Sequence, residues 1–179
     1  TGCSAGTRGG GGMYLIAGSN ASMFGACVLS NNTARQASGG HILVSSSKLC
    51  IRGALMDSAT HSAEKPLFPR VVKLNPAPRS TPDGALQGTI LIKGSALSGG
   101  AIFCSSAFTD DLGVFLESGT VISKSLATGS KGGGGISAVL CQIHVQNAQL
   151  TNNNATEGNG GAVSLAYGAK LHAINGSVF

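Results

Sequence analysis

Side chains capable of acid–base chemistry are scarce in this sequence of 179 residues, which holds seven Asp plus Glu and four His. Only Asp110 and Asp111 are adjacent acids. Neighbours along a strand point to opposite faces, so this pair makes a poor catalytic dyad unless a turn intervenes. Polysaccharide lyases and hydrolases need several carboxylates converging on one face, for calcium or for paired acid and base work. An enzyme of that kind is therefore the alternative here, and no catalytic residue is assigned. His144 and His172 could bind a metal if stacked about one strand spacing apart, but two histidines without a third ligand read as a polar column. The calcium-binding nonapeptide GGxGxDxUx is absent, because aspartate is missing after every glycine run. Neither metal nor cofactor is expected.

Five cysteines fall at 3, 27, 50, 104 and 141, without the close pairs that zinc sites require. Cys3, Cys27 and Cys50 are 24 and 23 residues apart. That spacing suggests a column in which two neighbours can form a disulfide, with simple buried thiols as the competing reading. Four Asn-x-Ser/Thr acceptors, at Asn20, Asn31, Asn154 and Asn175, are candidate glycosylation sites. Asn31 and Asn154 are expected in equivalent corners, where a glycan would point into solvent.

The net charge of +5 arises from depletion of acids rather than from a basic cluster. Basic stripes interleaved with aromatics, the mark of nucleic-acid binding, are not seen, and a weak attraction to anionic polysaccharide or membrane surfaces is the most the charge implies. No apolar run reaches the length that spans a bilayer. With 28 glycines, 42% hydrophobic residues and only 11% charged, the composition suits neither a disordered linker nor a helical domain.

What must position these residues is a repeat. Glycine pairs or runs at 9–12, 39–40, 99–100, 132–135 and 160–161 are followed by MYLIA (13–17), HILV (41–44), AIF (101–103), ISAVL (136–140) and AVSLA (162–166). Each stretch has the length of a strand and is too short for a helix. LSNN at 29–32 and LTNN at 150–153 each begin ten residues before a glycine pair, and IHVQN (143–147) recurs 28 residues later as LHAIN (171–175). A period of roughly 23 to 35 residues fits a solenoid coil of about three short strands. Hairpin signals are few, with Asp-Gly at 83–84 and Asn-Gly at 159–160 and 175–176, which weighs against a β-sandwich. The expected architecture is all-β: a right-handed single-stranded parallel β-helix of about six to seven coils, one continuous segment over 1–179 of a longer chain. Over 57–85 the repeat fades and all five prolines appear with Lys65, Arg70, Lys73 and Arg79. This interval reads as a protruding loop and the candidate contact surface.

SGGAIF (98–103), GNGGAVSL (158–165) and the preceding LTNNNATEGN resemble the GGA(I/V/L) and FxxN repeats of polymorphic outer membrane proteins. Leu29 and Leu150 stand where that family prefers phenylalanine. The resemblance implies a right-handed β-helix exposed at a cell surface and used in adhesion, a fold also found in large extracellular proteins of algae and protists. The expected function is thus that of an extracellular or cell-surface structural or adhesive glycoprotein. Its expected partners are other copies or other proteins of a surface assembly.

Overall fold

A computed structural model describes residues 1–53, 88–106 and 111–179. Among these residues there are nineteen strands and no helix. Strand β1 (Ser4–Ala5) is followed by β2 (Met13–Leu15), β3 (Asn20–Phe24), β4 (Val28–Ser30) and β5 (Thr33–Ser38). Next come β6 (Ile42–Ser45), β7 (Lys48–Arg52), β8 (Ile90–Ile92), β9 (Ser95–Ser98) and β10 (Ile102–Ser105). Strands β11 (Gly113–Leu116), β12 (Val121–Ser123), β13 (Leu126–Ala127), β14 (Ile136–Val139) and β15 (Gln142–Gln146) follow. The chain ends with β16 (Gln149–Thr151), β17 (Asn154–Ala155), β18 (Val163–Ala166) and β19 (Lys170–Ile174).

Every fourth strand shares a sheet, and all the pairings are parallel. Sheet A is β1-β5-β9-β13-β17, sheet B is β2-β6-β10-β14-β18, sheet C is β3-β7-β11-β15-β19 and sheet D is β4-β8-β12-β16. The chain visits the four sheets in constant order, a strand order consistent with a parallel β-helix. Each rung therefore holds four strands rather than about three. The register spacing is 29 residues from Met13 to Ile42 and 27 from Ile136 to Val163. That step lies within the expected period, and among the described residues sheets A, B and C are five strands deep and sheet D four. The proline-rich interval with Lys65, Arg70, Lys73 and Arg79 lies outside the described residues. On either side of it the stack is continuous, since β8 is bonded to both β4 and β12.

The alternation of strands sends one set of side chains inward in register. Ile42, Ile102 and Ile136 stack in sheet B, Leu49, Val114 and Ile143 in sheet C, and Leu91, Ile122 and Leu150 in sheet D, all 1% exposed or less. Sheet A contributes Ala5, Ala34, Ala96, Ala127 and Ala155 in one column. Its small side chains leave room for the large ones opposite. Burying each Ile or Leu contributes about 1.5–3 kcal/mol, which no rung can realise without a neighbour to cover it.

The glycine pairs form the corner between sheets A and B, and the two glycines do different work. The first takes a left-handed backbone, with φ of 72° at Gly39 and 62° at Gly99. The second lies against the next rung: a Cβ on Gly40 would sit 2.1 Å from the Gly100 carbonyl oxygen, and one on Gly100 2.3 Å from that of Gly134. No L-residue fits there. The corner between sheets D and A uses left-handed residues of other types, with φ of 54° at Asn31, 58° at Lys93, 54° at Lys124 and 56° at Asn152. Their amides keep the ladder running, Asn31 donating to the Ile92 carbonyl at 3.1 Å and Lys93 to that of Ser123 at 3.1 Å.

Candidate binding face

A cluster of ionisable side chains lies on the outward face of sheet C. Alternation in β7 buries Leu49 and Ile51 and turns Lys48, Cys50 and Arg52 outward. The same pattern turns Phe115 of β11 and Glu117 just beyond it outward, then His144 and Gln146 of β15, of which only Gln146 is fully exposed. Register places Cys50, Phe115, His144 and His172 in one column. The rings of Phe115 and His144 stack at 4.7 Å and 3°, those of His144 and His172 at 5.0 Å and 9°. The Lys48 ammonium sits 5.0 Å from the Phe115 ring centroid, a cation–π contact at one end of the stack. The expected histidine column is therefore present, and Phe115 extends it. Parallel rings at this separation set their nitrogen lone pairs side by side rather than converging on one point, as metal bonds of about 2.0–2.1 Å demand. No group of three metal-ligating side chains occurs among the described residues.

Beside the stack, Arg52 and Glu117 form an ion pair. The Glu117 carboxylate holds the guanidinium in its charged form. Cys50 donates its thiol to Glu117 Oε1 at 3.6 Å, and burial, then the Glu117 charge, push the thiol pKa up. That thiol is a poor nucleophile at neutral pH. Phe115, Glu117, His144, Gln146, His172 and Ile174 line a shallow depression on this face. The arrangement offers stacked ring edges and hydrogen-bonding groups, a surface for contact rather than for bond-making. Sequence reasoning found the two histidines but missed Phe115, because β11 lacks the Asn and His landmarks of its neighbours.

The other expected sites distribute as follows. Cys3, Cys27 and Cys50 are free thiols, and the disulfide joins Cys104 to Cys141, with Cα atoms 6.0 Å apart. The reason is the true register: a step of 23 or 24 residues is shorter than the 28 separating Asn20 from Lys48 in sheet C, so successive cysteines fall on different sheets. Cys3 precedes β1, Cys27 precedes β4 and Cys50 lies in β7. All four sequon asparagines, Asn20, Asn31, Asn154 and Asn175, are exposed. Asn31 and Asn154 are near but not equivalent, because Asn154 stands level with Thr33 through Ser95 and Leu126. The equivalent of Asn31 is Asn152, and of Asn32, Asn153. Asn32 and Asn153 turn inward, where Asn32 Oδ1 accepts the Cys3 amide at 2.9 Å and Asn153 Oδ1 the Ser125 amide at 3.1 Å. Asn147 and Asn175 both take left-handed backbones, at φ of 49° and 53°. Asp111 is exposed, and its neighbour Asp110 lies outside the described residues. No helix among the described residues is long and apolar enough to cross a membrane. Compared with protein-family models, curated proteins and solved structures, the chain matches none.

Proposed function

We propose that this chain is a right-handed, single-stranded parallel β-helix segment of an extracellular or cell-surface glycoprotein, of the polymorphic outer membrane protein repeat type. Its work is to supply a stiff scaffold and to present loops for assembly or adhesion with other copies or other proteins of a surface layer. One observation carries the reading: four parallel sheets made by every fourth strand, with a core that runs unbroken from rung to rung. Connections between parallel strands are overwhelmingly right-handed, which favours that hand. The described acids are dispersed. Glu117 is engaged by Arg52 on sheet C, while Asp111 and Glu157 are exposed elsewhere. That dispersal supports a scaffold over a polysaccharide lyase or hydrolase. The exposure of all four sequon asparagines supports a secretory route. Mass spectrometry of natively purified protein tests it: glycan mass on the Asn31 and Asn154 peptides is expected, and unmodified asparagines would remove the support for secretion. Incubation with uronate-containing polysaccharides should release no product.

A further inference from the structure

Folding gathers positive charge that the sequence scatters. Lys93 and Lys124 hold one position of the corner between sheets D and A in consecutive rungs, their amides donating to the Ser123 and Thr151 carbonyls. The other rungs place Gly2, Asn31 and Asn152 there, residue types that accept the left-handed backbone. Lysine does not favour that backbone, and like charges on neighbouring strands, about 4.8 Å apart at the backbone, repel. Both side chains are exposed. Exposed Arg35 lies in the β-bulge of sheet A between Ala34 and Ser38, and exposed Arg8 follows β1 of the same sheet. Strands β1, β5, β9 and β13 of sheet A thus each have one cation within or beside them. Among the described residues the one ion pair joins Arg52 to Glu117 on sheet C, and none of these four cations is paired. Glu157, beyond β17, is the single described acid adjoining sheet A.

Unpaired like charges at a disfavoured backbone cost stability, and such features persist where a ligand uses them. The surface around them narrows the ligand. The strands of sheet A contain no aromatic residue, and of their large apolar side chains only Leu97 is exposed, at 42%. Base stacking requires aromatics and membrane insertion an apolar face, so neither single-stranded nucleic acid nor a bilayer is matched. Exposed Ser4, Gln36, Thr128, Asn154 and Thr156 supply hydroxyl and amide groups instead. Cations repeated at rung spacing on a polar sheet match a chain that carries an anion at short regular intervals with hydroxyls between. We propose that the outward face of sheet A, with its corner to sheet D, binds an acidic polysaccharide laid along the stacking direction, without cleaving it.

The inference names a partner for the scaffold and does not depend on secretion. Titration calorimetry with polygalacturonate and with heparin, as carboxylate and sulfate probes, should show binding that weakens by about tenfold or more between about 50 and 200 mM salt. Neutral dextran should not bind. Lys93→Asn and Lys124→Asn each install the residue found at 31 and 152, and circular dichroism checks the fold. Each should cost about threefold in affinity and the pair about tenfold, whereas Lys170→Gln, removing equal charge from sheet C, should change it by less than about twofold. An equal loss with Lys170→Gln, no binding at about 50 mM salt, or a loss confined to Arg70→Gln and Lys73→Gln of the proline-rich interval overturns the surface. Tighter binding to duplex DNA or phosphatidylserine vesicles, lost with the same two lysines, overturns the polysaccharide. Asn31 stands one rung from Lys93, so binding is read before and after enzymatic removal of any N-glycan, and binding in either state supports the surface. Unglycosylated asparagines would undercut the secretory reading alone.

Discussion

Among the described residues, His41 is a fully buried ionisable side chain whose hydrogen bonding dictates its protonation state, and acid should test that assignment. It occupies the position that is Gly12, Ala101, Gly135 or Ala162 in other rungs, and it is fully buried. The ring uses space left by Gly94, where a Cβ would come within 2.8 Å of His41 Cδ2. Asn32 Oδ1 accepts the Cys3 amide at 2.9 Å, which fixes the other end of that side chain as the donor. Asn32 Nδ2 lies 3.0 Å from His41 Nδ1, so Nδ1 must be the acceptor and the imidazole neutral. Protonation would set donor against donor in a fully buried site. Burial lowers the pKa from 6.5 to about 4; the Ile92 carbonyl opposes the shift, and the N-terminal ammonium adds slightly to it.

The sign follows from proton counting. Between pH 6.5 and pH 4 the unfolded chain binds a proton at His41 that the folded chain does not, so stability falls as pH falls through that window. Below the folded pKa the loss from this group levels off. A shift of this size corresponds to about 3 kcal/mol in all. Urea unfolding of the unaltered protein and of His41→Ala should be followed at pH 7, 5.5 and 4. Alanine is the residue that the same position carries at 101 and 162. The variant should be the less stable at pH 7, through loss of packing, and the difference should narrow by about 3 kcal/mol on going to pH 4. Carboxylates and the other histidines titrate in both proteins and cancel in the difference. Parallel pH profiles would refute the buried neutral assignment.

Gly100→Ala should destabilise by about 3 kcal/mol or more, because the added methyl meets the Gly134 carbonyl oxygen at 2.3 Å and backbone must move; Gly18→Ala, which meets nothing within 4 Å but has φ of 79°, should cost about 1 kcal/mol through backbone strain alone. Chemical denaturation compares the two. Replacing Cys104 and Cys141 together by alanine should lower stability by about 3–4 kcal/mol, as expected for a bridge spanning 37 residues, read as a shift of the unfolding midpoint. Alkylation of the native protein should label exposed Cys3 fastest and Cys50 slowest of the three free thiols, given the Cys50 pKa raised by burial and Glu117; peptide mapping gives the order, and Cys104 and Cys141 should remain unlabelled without reductant.

The parts of the fold legible beforehand were those with a steric demand on residue type. Glycine pairs mark the corner before sheet B because nothing else fits between successive rungs there, and the five apolar stretches after them are β2, β6, β10, β14 and β18. The Asn-Asn elements mark the corner after sheet D, where one asparagine adopts a left-handed backbone and the next caps an inward amide. In the middle rungs Lys93-Gly94 and Lys124-Ser125 occupy the same corner, and the signal disappears. Lysine at φ near 55° is unfavourable by itself, and the ladder bonds on both sides hold it there.

Residue types and spacing by themselves determined that the chain is all-β, repetitive and poor in catalytic groups, because glycine corners, short apolar runs and scarce acids are local properties. They also located the histidine column, since His144 and His172 stand at one full repeat. Only the tertiary structure decided that a rung holds four strands, that Cys104 rather than Cys3, Cys27 or Cys50 is bridged, and that Asn154 stands level with Thr33. Those outcomes depend on register, and register is set by the summed packing of inward columns across rungs. A shift of a few residues in corner length is nearly silent in the sequence, yet it moves a cysteine from one sheet to the next.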